Sequence, residues 1–250
     1  MDTITTSMPP GRIITIGVDL GQRKDPTAIA VVEGRDRNDG EREFAARGLT
    51  SLPLGTSYPD VVARLRDTID GLEPQLQGER PPIWLDATGL GTPVVDMCRS
   101  AGMQVTPCYF THGDRLVENS TEWSWSVGKG LLVAKLQVIL QTKRLLLPNT
   151  PTAKQLADEL LSYEIRINPR ANDTYGAFRV GAHDDLVTAL GLAILAAARR
   201  GSIGVAMGGQ ALEDLQSDAW WLAPIPGIDD QLPPKTRPAE PSRWNPLTRR

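Results

Sequence analysis

The first apolar run, Ile13 to Leu20, is β-branched and almost unbroken, which is the pattern of a strand covered on both faces rather than an alternating edge strand. It closes on an acid, Asp19. The Gly and Asp-Pro of Gly21 to Pro26 predict a turn into a second strand, Thr27 to Glu33, and the charged stretch Gly34 to Arg42 then reads as a hairpin loop before a third strand, Glu43 to Leu52. From Tyr58 to Leu76 apolar residues recur at helical spacing between charges. Ile83 to Asp86 is a short strand that again ends on an aspartate, followed by a helix over Pro93 to Ala101 and a strand over Met103 to Phe110. Thr111 to Ser126 has no clear period and reads as a loop, although Trp123 and Trp125, two apart, suit a strand face or core filling. Helices are expected over Leu131 to Thr142 and Ala153 to Tyr163 with a short extended piece at Arg144 to Leu147 between them, and a hairpin over Glu164 to Val180. The last periodic segment, from His183 or Asp184 to Arg200, is apolar nearly all round, as in a helix buried against a sheet.

Strands at the front followed by strands alternating with helices make an α/β fold with a mixed sheet flanked by helices on both faces. The 250 residues hold one substantial core, placed at 1–201, and the Gly- and Pro-rich stretch 202–250 is expected to be an irregular tail. No apolar run approaches the roughly 20 residues that span a membrane, so no membrane is expected as a partner and the expected location is cytoplasmic. Cys98 and Cys108 fall in a helix and a strand, outside any CxxC pattern, and read as buried thiols rather than zinc ligands. The formal charge of −3 lacks the basic excess of most nucleic-acid binders, so DNA binding would need a local basic patch.

Three acidic positions share an architectural property. Asp19 and Asp86 end predicted central strands, and Asp184-Asp185 opens the buried last helix. Strand ends of an α/β sheet form one crevice, so a last helix that starts at that rim gathers the carboxylates. Hard oxygen ligands suit Mg²⁺ or Mn²⁺, and a pair of such ions supports phosphoryl transfer to water, with Asp19 the candidate bridge. Each acid also has a plainer reading: Asp19 and Asp86 as turn residues, Asp184 or Asp185 as a helix N-cap.

The segments Ile16-Gly17-Val18-Asp19 with Asp25-Pro26-Thr27-Ala28, Trp84-Leu85-Asp86-Ala87-Thr88-Gly89-Leu90-Gly91 and His183-Asp184-Asp185-Leu186-Val187-Thr188-Ala189-Leu190 resemble the nuclease domain of phage terminase large subunits. Val127-Gly128-Lys129, Leu136 to Leu147, and Leu156 to Leu161 with Glu159 also look like that domain, and the resemblance spans roughly Arg12 to Arg200. It implies an RNase H-like fold related to RuvC-type resolvases, two Mg²⁺ or Mn²⁺ ions, and cleavage of double-stranded DNA during packaging. Carried over position by position, the catalytic and metal-binding acids are Asp19, Asp86 and Asp185, with Asp184 as a fourth. A packaging large subunit also has an ATPase motor, yet no GxxxxGK[ST] loop occurs in these residues. The expected partners are therefore double-stranded DNA, a separate terminase ATPase, a small terminase subunit and a portal.

Converging aspartates repel phosphate, so cations are expected beside them. The main candidates for DNA are Lys129, Lys143, Arg144 and Arg115, beside the lesser Lys135, Arg35, Arg37 and Arg42, with Lys129 favoured because it matches the family's lysine at this helix start; His183 is a candidate to support the acids from behind without itself holding the metal. A solvated surface charge is the plain alternative for each cation. Three rival functions stand. Asp19-Leu20-Gly21 and Asp86-Ala87-Thr88-Gly89 also resemble the phosphate motifs of actin-like and sugar-kinase-like ATPases, a RuvC-like junction resolvase would use the same acids, and a packaging module could use the fold without cleaving.

Overall fold

The computed structural model describes residues 11–21, 25–89, 91–162, 164–167, 173–176 and 184–199. Its centre is an eight-stranded sheet in the order β6-β7-β5-β4-β1-β2-β3-β8. The strands are β1 (Arg12–Asp19), β2 (Ala28–Asp36), β3 (Arg42–Ser51), β4 (Ile83–Asp86), β5 (Val105–Thr111), β6 (Leu116–Asn119), β7 (Ser124–Gly128) and β8 (Leu145–Leu146). The first three form an antiparallel meander, while β1, β4, β5 and β7 run parallel to one another. A separate two-stranded antiparallel sheet pairs β9 (Glu164–Ile167) with β10 (Asp173–Gly176), within the expected hairpin.

Alternation along the strands sends side chains to two apolar layers. Ile14, Ile16 and Val18 of β1 and Ile83 and Leu85 of β4 pack with Leu65 and Leu72 of α1 (Tyr58–Leu76) and Val94, Val95 and Cys98 of α2 (Gly91–Ser100). Ser57 caps α1, its hydroxyl accepting the Asp60 N–H at 3.3 Å. The opposite face carries α5 (Asp185–Arg199), which is itself covered by Leu132, Leu136 and Ile139 of α3 (Lys129–Gln141) and by Leu156 of α4 (Pro151–Ser162). That sandwiching is why α5 is apolar on every side: Asp185 to Ala197 are all buried.

Two glycines make this layering possible. A Cβ on Gly17 would stand 1.9 Å from the Ala189 carbonyl oxygen and 2.6 Å from the Ala193 nitrogen, so α5 rests directly on the backbone of β1. A Cβ on Gly191 would meet the Leu132 side chain at 2.5 Å, which sets the approach of α3 to α5. The Thr15 hydroxyl donates to the Ala193 carbonyl at 2.8 Å and fixes the register of helix on strand. Because Gly17 meets Ala189 while Thr15 meets Ala193, α5 runs antiparallel to β1 and starts at the end of the sheet where β1 stops.

The sequence expectation missed two strands. Thr111 to Ser126 contains β6 and most of β7, and β7 is recognisable only through its packing. Trp125 and Val127 face the α5 layer, and the Trp125 ring stacks on Trp84 at 5.5 Å between centroids. Trp123 precedes the strand with φ 52° and is 79% exposed, so it fills neither a strand face nor the core. Both cysteines are buried free thiols. No helix among the described residues is long and apolar enough to cross a membrane.

Candidate active site

Parallel pairing aligns Val18 with Leu85, so the next residue of each strand is an aspartate: Asp19 on β1 and Asp86 on β4. Equivalent positions of paired strands point to the same face, here the α5 face, where Thr15 and Trp84 also lie. The two carboxyls stand near enough for each to bear on the other's ionisation. Burial first, then the charges of Asp86, Asp185 and Asp184, push the Asp19 carboxyl well above the usual carboxylate range, against the pull of the Lys129 ammonium. Asp86 is also raised by burial, although hydrogen bonds from Thr88 and the Lys129 charge oppose the rise. Its Oδ1 accepts the Thr88 N–H at 2.8 Å, while the Thr88 Oγ1 accepts the Phe110 N–H at 2.9 Å, so the loop after β4 holds this oxygen in place.

The other acids arrive on α5. Asp184 starts the helix, its carbonyl accepting the Thr188 N–H at 2.9 Å, and Asp185 is the first helical residue, 6% exposed. Burial, followed by the charges of Asp25, Glu159 and Asp184, pushes Asp185 up to about 7. The acceptor for the helix start comes from another element. Glu159 of α4, 5% exposed, takes the Leu186 N–H at 3.0 Å and the Val187 N–H at 3.3 Å on Oε2, while Gln155 Nε2 donates to its Oε1 at 3.0 Å. Burial raises the Glu159 carboxyl, with these hydrogen bonds opposing and the Asp184 charge reinforcing the rise.

Asp86, Asp184 and Asp185 therefore all bear on Asp19 at one rim. Among the described residues no group of three or more His, Cys, Asp or Glu side chains is ready to hold a metal ion. Asp19 and Asp86 are neighbours on adjacent strand ends, and Asp184-Asp185 reaches Asp19 through its charge. Asp25 is an acid that sequence reasoning passed over. Its charge bears on Asp185, and the turn that carries it is tied by Thr27 Oγ1, which lies 3.1 Å from both the nitrogen and the oxygen of Gly21. The available signal was the Asp25-Pro26 turn, which was read for its shape and not for its charge.

The four main candidate cations separate into two groups. Lys129 opens α3 at the rim, its Nζ 5.4 Å from the centre of the Phe110 ring, and its charge acts on Asp19 and Asp86. Arg115 is exposed beside it, its carbonyl accepting the Gly128 N–H at 2.7 Å. Lys143 and Arg144 lie past the other end of α3, about 20 Å away at the rise of an α-helix. Lys143 is exposed, whereas the Arg144 guanidinium is bonded to Glu41 and to Thr142 Oγ1 at 2.8 Å, tying the chain before β8 to the strand hairpin. His183 and the tail 202–250 lie outside the described residues.

No family model matches the chain, and no curated protein matches it. Solved structures do. The large terminase nuclease of thermophilic phage G20c is similar with a TM-score of 0.52 and 23% identity over 76% of this chain and 84% of that one. Its magnesium-bound form is similar with a TM-score of 0.52 and 23% identity over 75% and 82% of the two chains. The nuclease domain of the Thermus phage P74-26 large terminase gives a TM-score of 0.50 and 22% identity over 75% and 81%. At these identities the likeness establishes a shared fold, the RNase H-like mixed sheet expected from the sequence.

Proposed function

We propose that the chain is a divalent-metal-dependent endonuclease that hydrolyses double-stranded DNA, serving as the nuclease part of a viral DNA-packaging terminase. The observation that carries this reading is the pair Asp19 and Asp86 at equivalent ends of adjacent parallel strands, with the charges of Asp184-Asp185 at the start of α5 bearing on Asp19. Support comes from the shared fold with large terminase nucleases, among them one solved with bound magnesium and one with bound cobalt.

The donor set fits the metal. All the donors are hard carboxylate oxygens, as Mg²⁺ and Mn²⁺ prefer, and such ions keep waters through which a more distant acid is reached. The raised pKa values of Asp19 and Asp185 come partly from neighbouring negative charge, which a divalent cation relieves. Asp19, Asp86 and Asp185 would hold two ions, with Asp184 beside them. Such ions supply activation of water and stabilisation of charge at the scissile phosphate. Lys129 contributes a cation that meets the phosphate and offsets the carboxylate field, and Arg115 extends that contact along the strand. His183 belongs to the same proposal as a group beside Asp184. No phosphate loop occurs in these residues, so translocation would rest with an ATPase outside them, together with a small subunit and a portal. The proposed setting is the cytoplasm of an infected bacterium.

The test is incubation of the purified protein with supercoiled plasmid and Mn²⁺ or Mg²⁺, beside Asp19→Ala and Asp185→Ala. Nicking and linearisation by the wild type, lost in both variants and in EDTA, is the expected outcome. Equal nicking by all three proteins would overturn the site, and ATP turnover without cleavage would favour the kinase-like rival.

A further inference from the structure

At the other end of the sheet, where β4, β5 and β7 begin, lies a cleft of about 670 Å³ bounded by Arg80, Pro82, Arg99, Met103, Trp123 and Trp125. Its chemistry differs from that of the carboxylate rim. Arg80 and Arg99 are exposed, and among the described residues neither takes part in an ion pair. Trp123 projects with 79% of its surface accessible. The Trp125 ring stacks on Trp84 and also meets the Arg199 guanidinium, 3.9 Å from its centre, which Glu118 holds at 3.7 Å. Two cations, an exposed indole and proline rings form a surface for an acidic partner that carries aromatic and proline residues.

This chain contains a segment of that chemistry. Because α5 runs antiparallel to β1, it ends at this end of the sheet, and Arg199 places the departing chain at the edge of the cleft. The following residues 201–234 contain no Lys or Arg, while Glu213, Asp214, Asp218, Asp229 and Asp230 flank Trp220-Trp221 and Ala223-Pro224-Ile225-Pro226. The stretch from Arg199 to Glu213 can span about 45 Å when extended, and Arg199 already stands against Trp125 of the cleft. Closing a loop of this length costs little more than closing a shorter one, and the tether raises the local concentration of the segment to the millimolar range, so weak contacts suffice. Proline-rich chain is already extended and docks readily on aromatic surfaces.

We propose that this cleft is the docking site of the chain's own segment 213–230, with its acids against Arg80 and Arg99 and its Trp-Trp and Pro residues against Trp123 and the prolines. The site is independent of the carboxylate rim and of any cleavage activity. Hydrogen exchange read by mass spectrometry on the full chain tests it. Backbone amides of 213–230 should exchange about 10-fold more slowly in the wild type than in the Arg80→Glu/Arg99→Glu variant, a difference worth about 1.4 kcal/mol. Asp229→Lys/Asp230→Lys, which alters no cleft residue, should lose the same protection, and combining the two pairs of charge reversals should restore it. Wild-type amides exchanging as fast as those of the variants would overturn the proposal. So would protection that disappears on dilution, because the occupant would then be the segment of a second copy.

Discussion

Replacing Glu159 with alanine tests whether α5 is held by a carboxylate from α4. The change removes the acceptor of the Leu186 and Val187 N–H groups, at 3.0 and 3.3 Å, and the partner of Gln155. Losing an N-cap acceptor costs about 1 kcal/mol, and each buried N–H left without a partner about 1–3 kcal/mol. Two effects oppose this loss. Burial disfavours the Glu159 charge, and that charge bears unfavourably on Asp184 and Asp185, so its removal returns part of the cost. The expected net destabilisation of Glu159→Ala is about 1–3 kcal/mol, read from urea unfolding near neutral pH. Glu159→Gln keeps one acceptor oxygen and drops the repulsion, so it should fall below about 1 kcal/mol. If the proposed function holds, loosening the first turn of α5 displaces Asp184-Asp185 and lowers the cleavage rate by about 10-fold or more, with DNA affinity little changed. An alanine variant as stable as the wild type would show that these N–H groups find another acceptor, and the argument for Glu159 would fail.

Further outcomes follow from the same geometry. Gly17→Ala puts a methyl against the backbone of α5 and is expected to cost about 3 kcal/mol or more, seen as a lowered denaturation midpoint; a neutral result would mean that α5 does not rest on β1 as described. Asp185 has its pKa raised to about 7, so its contribution to stability is fully present below about pH 4 and is lost as pH rises through about 7. In EDTA, Asp185→Asn should therefore exceed the wild type in stability at pH 7.5, by at most on the order of 4 kcal/mol, and the gap should shrink toward pH 5. A gap independent of pH would refute the assigned shift. Lys129→Gln should weaken plasmid cleavage by about 10-fold and flatten its salt dependence, whereas Arg144→Gln, whose guanidinium is bonded to Glu41, should leave cleavage unchanged.

What could be read in the sequence was whatever is encoded locally. The unbroken apolar run of β1 and the all-round apolar face of α5 state their own burial, because a helix between a sheet and two other helices has no polar side to show. Asp19 and Asp86 were legible because each ends a strand, and strand ends in such sheets share a rim. The remaining features depend on distant partners. Ser124-Trp125-Ser126-Val127 is too short to signal a strand until Trp125 finds Trp84. Glu159 looks like any helix acid until the first turn of α5 is placed over it. Arg144 resembled a DNA contact because it closes a family-like segment, yet its position beyond the far end of α3 sets it against Glu41.

The carboxylate rim and the core are one construction, because α5 serves both. The helix rests on the backbone of β1 at Gly17 and seats the Leu132 side chain of α3 at Gly191, so close approach at two glycines fixes its position. Its first residue is therefore delivered to the end of β1 with little freedom, which lets an acid 166 positions away in the chain act on Asp19. Repulsion among these acids works against that placement, and the apolar burial of Leu186 to Ala197 opposes it with about 25 cal/mol for each Å² of apolar surface removed from water. Charge crowding is tolerated here because the core holds the helix independently of the acids. If the proposed function holds, the fold forms before any cation binds, and the ion then draws together acids that the fold brings near one another without closing them into a ready site.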